Sequence, residues 1–188
     1  MSRSWTHPVS DVIQALRNCI KRELMQDHLD FEEKDAMSTC PPFKLKKRGS
    51  GHLVTLRFSS DNNQYFPWFE AGLEAVGSCC DYAVFSLDQG RLQVLLLELK
   101  SGVSTGALEQ IRAGVLICEY LAKTACRVSK LPPPKLEFRA LVVSPKKPPP
   151  AEPPHKPLRY NQHDAVGIPV GLYHLAPPDG SYLTRFWL

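Results

Sequence analysis

The first regular pattern in the chain is an apolar stripe near its start. One apolar residue recurs every four positions, which places the set on one face of a helix: Val12, Leu16, Ile20 and Leu24. Ser10 is a suitable N-cap residue for such a helix. The pattern predicts a helix over residues 10–29, followed by a polar surface connection over residues 30–51.

Alternating apolar positions then predict three strands. Residues 52–58 alternate apolar and polar side chains, and residues 82–87 and 92–99 form two further apolar runs. The four residues 88–91 between the last two runs, Asp-Gln-Gly-Arg, have the composition of a tight turn. We therefore predict an antiparallel hairpin, with a short helix over residues 67–76 before it.

Helical spacing returns in the second half of the chain. Ser104 or Thr105 would cap a helix over residues 105–123, whose apolar residues cover much of its circumference and predict burial: Leu108, Ile111, Val115, Leu116, Cys118, Leu121 and Ala122. A strand over residues 138–143 follows. Another is expected over residues 166–174, at a sheet edge because of Pro169.

The order of predicted elements fixes the fold class. Helix, three strands, helix and strand predict an α/β fold with a mixed central sheet flanked by helices. We expect one domain over residues 1–188. The proline-rich segment 144–157 is predicted to be an extended loop or linker, and a ligand for a proline-binding domain is the alternative interpretation.

The hairpin places two carboxylates opposite each other. If the turn centres on Gln89 and Gly90, Leu87 faces Leu92, and the same register puts Asp81 opposite Glu98. Two like charges at this separation repel, whereas a divalent cation would use both as hard oxygen ligands. A turn longer by one residue would send Asp81 to the other face of the sheet.

Lys100 lies on the same face as Glu98, one side-chain step further along the strand. It could orient a water molecule or neutralise the charge of a phosphate. The alternative is structural: Asp81 caps the start of a strand, and Glu98 and Lys100 form an ion pair at a strand end.

These residues resemble the motif of the PD-(D/E)XK nuclease superfamily, which includes restriction endonucleases and Holliday-junction resolvases. The match consists of Asp81, then Glu98-Leu99-Lys100 at the end of an apolar strand, then a helix that contains Gln110. It covers about residues 10–143, and it implies a restriction-endonuclease-like core of helix, three-stranded antiparallel meander, helix and strand.

The resemblance also implies roles for these residues. Asp81 and Glu98 would bind Mg²⁺, or Mn²⁺ as a substitute, Lys100 would assist the attacking water, and Gln110 would support the site. Cys80 stands where the motif has proline. Many members carry an acid on the first helix, for which Glu23 and Asp27 are candidates. The implied activity is phosphodiester hydrolysis of nucleic acid, of DNA rather than RNA, in a defence or repair system.

Basic residues offer candidate contacts to nucleic acid. The densest cluster is Lys44, Lys46, Lys47 and Arg48. It either contacts phosphates or is a solvated surface loop. Arg112, near the start of the second helix, could contact phosphate or pair with an acid such as Glu109.

Composition limits the partners and the cellular location that we expect for this protein. The 188 residues carry a formal net charge of +4, which permits an anionic partner without requiring one. We find no apolar run long enough for a bilayer and no secretory signal, and the six cysteines show no close metal-ligand spacing. We therefore expect a cytoplasmic protein with reduced thiols and no membrane association.

A homodimer or a partner protein is expected to supply specificity, because 188 residues leave no obvious room for a recognition module. The alternative function is a catalytically silent nuclease-fold subunit that binds a partner protein or nucleic acid.

Overall fold

A computed structural model of the chain describes residues 10–32, 40, 42–47, 52–58, 78–88, 91–101, 106–143, 161–163, 168–172 and 183. Two helices and a 3-10 turn are present: α1 (Ser10–Cys19), the turn (Arg22–Leu24) and α2 (Ala107–Val128). The strands are β1 (Met25–Gln26), β2 (Asp30–Phe31), β3 (Phe43–Lys44), β4 (Leu53–Arg57), β5 (Tyr82–Asp88), β6 (Arg91–Leu99), β7 (Leu136–Val143), β8 (Asn161–His163) and β9 (Ile168–Leu172).

Seven strands form one mixed sheet in the order β1-β4-β5-β6-β7-β9-β8. The pairs β1–β4, β4–β5, β5–β6 and β8–β9 are antiparallel, whereas the pairs β6–β7 and β7–β9 are parallel. Helix α2 makes the crossover that a parallel β6–β7 connection requires. The α/β class and the mixed sheet predicted from the sequence are confirmed.

Two apolar cores lie on the two faces of this sheet. Alternate residues of β6 divide between them: Val94 and Leu96 pack with α1 and α2, while Leu95 and Leu97 belong to the other core. Both helices therefore cover the same face of the sheet. The second face packs against residues around the small β2–β3 sheet and against Leu183.

The first helix is shorter than predicted. It ends at Cys19, although the four-residue apolar spacing continues to Leu24. Leu24 instead belongs to the 3-10 turn, and the following Met25 pairs with Leu56 on the sheet edge. Backbone pairing with β4 therefore overrides helix propensity after residue 19, because an edge strand offers unpaired N–H and C=O groups.

The segment predicted as a polar surface connection contributes to the core. Strands β2 and β3 pair there, with Phe31 opposite Phe43. Phe31 is 1% exposed and packs edge-on against Tyr82, with the ring centres 5.1 Å apart. The Tyr82 hydroxyl donates to the carbonyl of Glu32 at 2.7 Å, which fastens this small sheet to the large one.

Helix α2 runs five residues beyond its predicted end, from Ala107 to Val128. Its N-cap is Gly106 in a left-handed conformation, and the predicted caps Ser104 and Thr105 lie outside the described residues. The predicted burial of this helix holds for one side, whereas Leu116, one of the apolar residues on which the prediction rested, is 66% exposed.

The last predicted strand is present as β9, but the prediction that it forms a sheet edge is wrong. Strand β8 pairs with it on the outer side, with Gln162 opposite Pro169. The helix predicted over residues 67–76 and the proline-rich segment 144–157 both lie outside the described residues.

Within the described parts of the chain, neither helix is both long and apolar enough to cross a lipid bilayer.

Candidate active site at one end of the sheet

The register of the β5–β6 hairpin is the one predicted from its turn. Leu87 pairs with Leu92, and the ladder continues without a slip to Tyr82 opposite Leu97. One further step along this register places Asp81 opposite Glu98. The two carboxylates thus come together at the end of the hairpin that lies away from its turn.

Glu98 is a buried acid in an apolar strand. It is 1% exposed and lies on the face of β6 that packs against the helices. Burial raises the pKa of its carboxyl to about 8, and the negative charge of Asp81 adds to this effect, whereas Lys100 opposes it. Oε2 of Glu98 is fully buried and makes no hydrogen bond within the described residues.

Asp81 is fixed by the strands on both sides of it. Its Oδ2 accepts a hydrogen bond of 2.7 Å from the backbone N–H of Leu99. Its carbonyl accepts a second one from the N–H of Phe58, at 2.9 Å, just after β4 ends. The position of this carboxylate is therefore set by the ladder of the sheet itself.

Lys100 and Gln110 complete the group. The Lys100 ammonium lies 2.7 Å from Glu98 Oε1 and donates to Gln110 Oε1 at 2.5 Å. The backbone N–H of Lys100 donates to Val143 at 2.8 Å, which continues the β6–β7 ladder. All four residues predicted to be catalytic are thus brought to one place.

The main chain of Gln110 also ties α2 to the site. Its carbonyl accepts a hydrogen bond of 3.1 Å from the N–H of Cys80, the residue before Asp81. Sequence reasoning missed the residue that allows this close approach. A Cβ atom added at Gly114 would lie 2.5 Å from Cys80 Sγ, so α2 packs there without a side chain. A glycine in the middle of an apolar helix is the signal that could have found it.

Two adjacent cysteines lie next to the site. All six cysteines are free, and Cys79 Sγ lies 3.9 Å from Cys80 Sγ. Burial raises the pKa of Cys80 and of Cys118, which keeps both in the neutral thiol form. Their role in the described structure is packing between the sheet and α2.

Glu23, the predicted first-helix acid, is not on that helix. It lies in the 3-10 turn, exposed to solvent and 3.9 Å from the Lys21 ammonium. Because β1 runs antiparallel to β4, this turn is at the same end of the sheet as Asp81. The other candidate, Asp27, pairs with Arg17 and Arg22, and these arginines hold the pKa of its carboxyl below the usual range.

The predicted basic cluster lies away from Glu98. Lys44 is in β3, on the opposite face of the sheet, and its ammonium is 2.9 Å from Asp30. Lys46 and Lys47 are exposed, and Arg48 lies outside the described residues. Arg112 pairs with Glu109 on the surface of α2 at 3.8 Å, which is the second of the two interpretations given for it above.

The four-residue site is suited to a hard divalent cation. It offers two carboxylates from adjacent strands and one buried oxygen of Glu98 without a hydrogen bond. No group of three or more His, Cys, Asp or Glu side chains is found among the described residues. Mg²⁺ commonly binds through one or two carboxylates and keeps several waters, so Asp81 and Glu98 fit it.

No protein-family model matches the chain, and neither a curated protein nor a solved structure does.

Proposed function

We propose that this protein is a divalent-cation-dependent nuclease that hydrolyses phosphodiester bonds of nucleic acid, with DNA as the preferred substrate. The observation that carries the proposal is the convergence of Asp81 and Glu98 beside Lys100, with a buried Glu98 oxygen left without a hydrogen bond. A buried acid of raised pKa beside a second acid is typical of functional sites.

The order of elements supports a place in the PD-(D/E)XK superfamily. Apart from the 3-10 turn and the two-residue strands β1, β2 and β3 after α1, the chain passes through α1, the antiparallel strands β4, β5 and β6, helix α2 and strand β7. This is the order expected of a restriction-endonuclease-like core. Asp81 directly precedes β5, Glu98 lies near the end of β6, and Lys100 directly follows β6, which supports the resemblance to the motif.

Asp81 and Glu98 would hold Mg²⁺ or Mn²⁺ at the sheet end. A cation bound there would stabilise the negative charge that develops on the phosphate during hydrolysis. Binding requires an ionised Glu98, so the carboxyl must lose the proton that burial favours.

Lys100 is the residue that can position the attacking water. An ammonium has three N–H donors, and Lys100 directs two of them to Glu98 and Gln110. The third can donate to a water molecule or to a phosphate oxygen. Gln110 holds the ammonium in place from α2, so its contribution is to orientation.

A cleavage assay with matched variants tests this function. Supercoiled plasmid, single-stranded DNA and RNA are incubated with Mg²⁺, with Mn²⁺ and with chelator, using wild type, Glu98→Gln and Lys100→Ala. We expect metal-dependent cutting by wild type and a loss of about 10²-fold or more in both variants. Asn18→Ala, on the exposed side of α1, is the matched control and should cut like wild type.

Two results would overturn the proposal. One is wild-type protein that cuts none of the three substrates with either metal. The other is cutting that survives Glu98→Gln, since the activity would then come from a contaminant or another site. The first result would favour the alternative of a catalytically silent subunit that binds nucleic acid or a partner protein.

A further inference from the structure

Three large apolar side chains are exposed in the described residues, and all of them lie on α2. Leu116 is 66% exposed, Tyr120 52% and Val128 60%. Single exposed apolar residues are common on protein surfaces. Here, however, two of the three follow one another at the four-residue spacing that puts them side by side on one helix.

Leu116 and Tyr120 belong to a longer seam along the outer side of α2. Its positions are separated by four, three, four, three and four residues, the spacing of a helix that packs lengthwise against another helix: Glu109, Ala113, Leu116, Tyr120, Lys123 and Arg127. At 1.5 Å per residue, the seam is about 27 Å long.

The seam is complementary to itself when it is reversed. A two-fold axis at Cys118 maps Leu116 onto Tyr120 and Glu109 onto Arg127. Each end then places Arg127 of one copy opposite Glu109 of the other, whose carboxylate lies 3.8 Å from Arg112 of its own chain. The centre contains two leucine–tyrosine contacts. Arg127 is exposed and has no carboxylate partner among the described residues, so it has charge to offer a second copy.

We propose that a second copy of this chain docks along α2 in an antiparallel pair about a two-fold axis near Cys118. A two-fold interface uses the same patch on both copies, and this patch is self-complementary in the spacing of its apolar residues and in the charges at its ends. Antiparallel helices also oppose their dipoles favourably. A contact of this length lies at the small end of specific interfaces, which makes the dimer a reversible one.

The pairing has a consequence for the candidate active site. Gln110, in the first turn of α2, touches Lys100. The antiparallel arrangement brings the partner's Arg127 next to Glu109, and the partner's Lys130 follows it around the same helix end. Resting on the proposed nuclease function, we assign the partner's Lys130 to the phosphates of the strand that enters the site.

Sedimentation equilibrium of the purified, metal-free chain tests the docking surface without any need for activity. Wild type should show a concentration-dependent monomer–dimer equilibrium. Leu116→Glu should raise the dissociation constant by about 100-fold, because it buries a charge at the centre of the seam. Asn18→Glu, an exposed position on α1, is the control and should behave as wild type.

Charge reversal tests the antiparallel direction. Glu109→Arg and Arg127→Glu should each raise the dissociation constant by about tenfold, since each places two pairs of like charges together. The double variant should return to within about threefold of wild type. A strictly monomeric wild type, or a double variant no better than the single ones, would overturn the proposal.

Mixing two defective variants tests the contribution of the partner's Lys130. Glu98→Gln keeps Lys130 but cannot cut, whereas Lys130→Glu keeps the site but should bind nucleic acid about tenfold less tightly. A mixed dimer unites an intact site with the partner's Lys130, so the mixture should cut several-fold faster than either variant alone. Simple additivity would overturn this role, while the sedimentation result would still stand.

Discussion

The ammonium of Lys100 lies 2.7 Å from Glu98 Oε1, and yet it does not restore an ordinary acidity to this carboxyl. Burial and the charge of Asp81 outweigh the attraction to Lys100, and together they raise the pKa of Glu98 to about 8. The metal-free protein therefore keeps Glu98 largely protonated at pH 7.

The raised pKa of Glu98 predicts a pH-dependent stability. Glu98 has a pKa of 4.5 when unperturbed and about 8 when folded, so the folded state binds more protons between these values. Stability must then fall as the pH rises through this window. We expect Glu98→Gln to remove this fall and to be more stable than wild type at pH 8 by about 1–3 kcal/mol.

Thermal unfolding in the presence of chelator, at intervals from pH 5 to pH 9, measures this effect. Glu119→Gln, on the surface of α2, is the control and should keep the wild-type profile. Parallel profiles for wild type and Glu98→Gln would show that the buried carboxyl does not control stability in this range.

The raised pKa of Glu98 also predicts that metal binding releases a proton. Because the cation needs the ionised form, the affinity for Mn²⁺ should rise by about tenfold per pH unit from pH 6 towards pH 8. Calorimetry in two buffers of different ionisation enthalpy measures the number of protons released, which we expect to approach one at pH 6.5. Binding that is independent of pH, or that persists in Glu98→Gln, would place the metal elsewhere.

The contact between Gly114 and Cys80 predicts a coupled pair of substitutions. Gly114→Ala would bring a Cβ within 2.5 Å of Cys80 Sγ, in a place where both residues are buried. The overpacking should cost about 1–3 kcal/mol, more than the gain of about 1 kcal/mol in helix propensity.

The double variant Gly114→Ala/Cys80→Ala removes the sulfur that clashes. We expect it to be more stable than the sum of the two single changes by at least about 1 kcal/mol in urea unfolding. Additive single changes would mean that α2 and the β5 strand can separate without cost at this point.

The burial of Phe31 predicts that the small β2–β3 sheet contributes to the stability of the fold. Its side chain is 1% exposed and packs against the ring of Tyr82, so Phe31→Ala should destabilise the fold by about 3–5 kcal/mol. Urea unfolding measures the loss, with Lys46→Ala, which is exposed, as the control. A change below about 1 kcal/mol would mean that this sheet adds little to the main core.

The hairpin and its opposed carboxylates could be predicted because the information is local. A turn predicted at Gln89 and Gly90 gives the register, and strict alternation along β6 then decides on which face Glu98 lies. Lys100 follows from the same alternation. Gln110 came only from the resemblance to the PD-(D/E)XK motif, since its contact with Lys100 depends on how α2 packs.

The sequence-based predictions failed where the local structure depends on contacts with distant parts of the chain. Met25 becomes a strand because the edge of β4 is available, and Phe31 is buried because Tyr82 is nearby, and neither neighbour is close in sequence. The exposure of Leu116 is a third case. Its apolar character predicts burial, whereas α2 turns this side away from the sheet.

The placement of both carboxylates on one hairpin also bears on how the protein folds. Asp81 and Glu98 come together when one short loop closes. The contacts of Lys100 form only after β7 has paired beside β6 and α2 has brought Gln110 to the site. Local contacts form sooner than distant ones, since less chain entropy is lost before they are made. The two acids should therefore meet early in folding, before the lysine is held in position by the elements that follow.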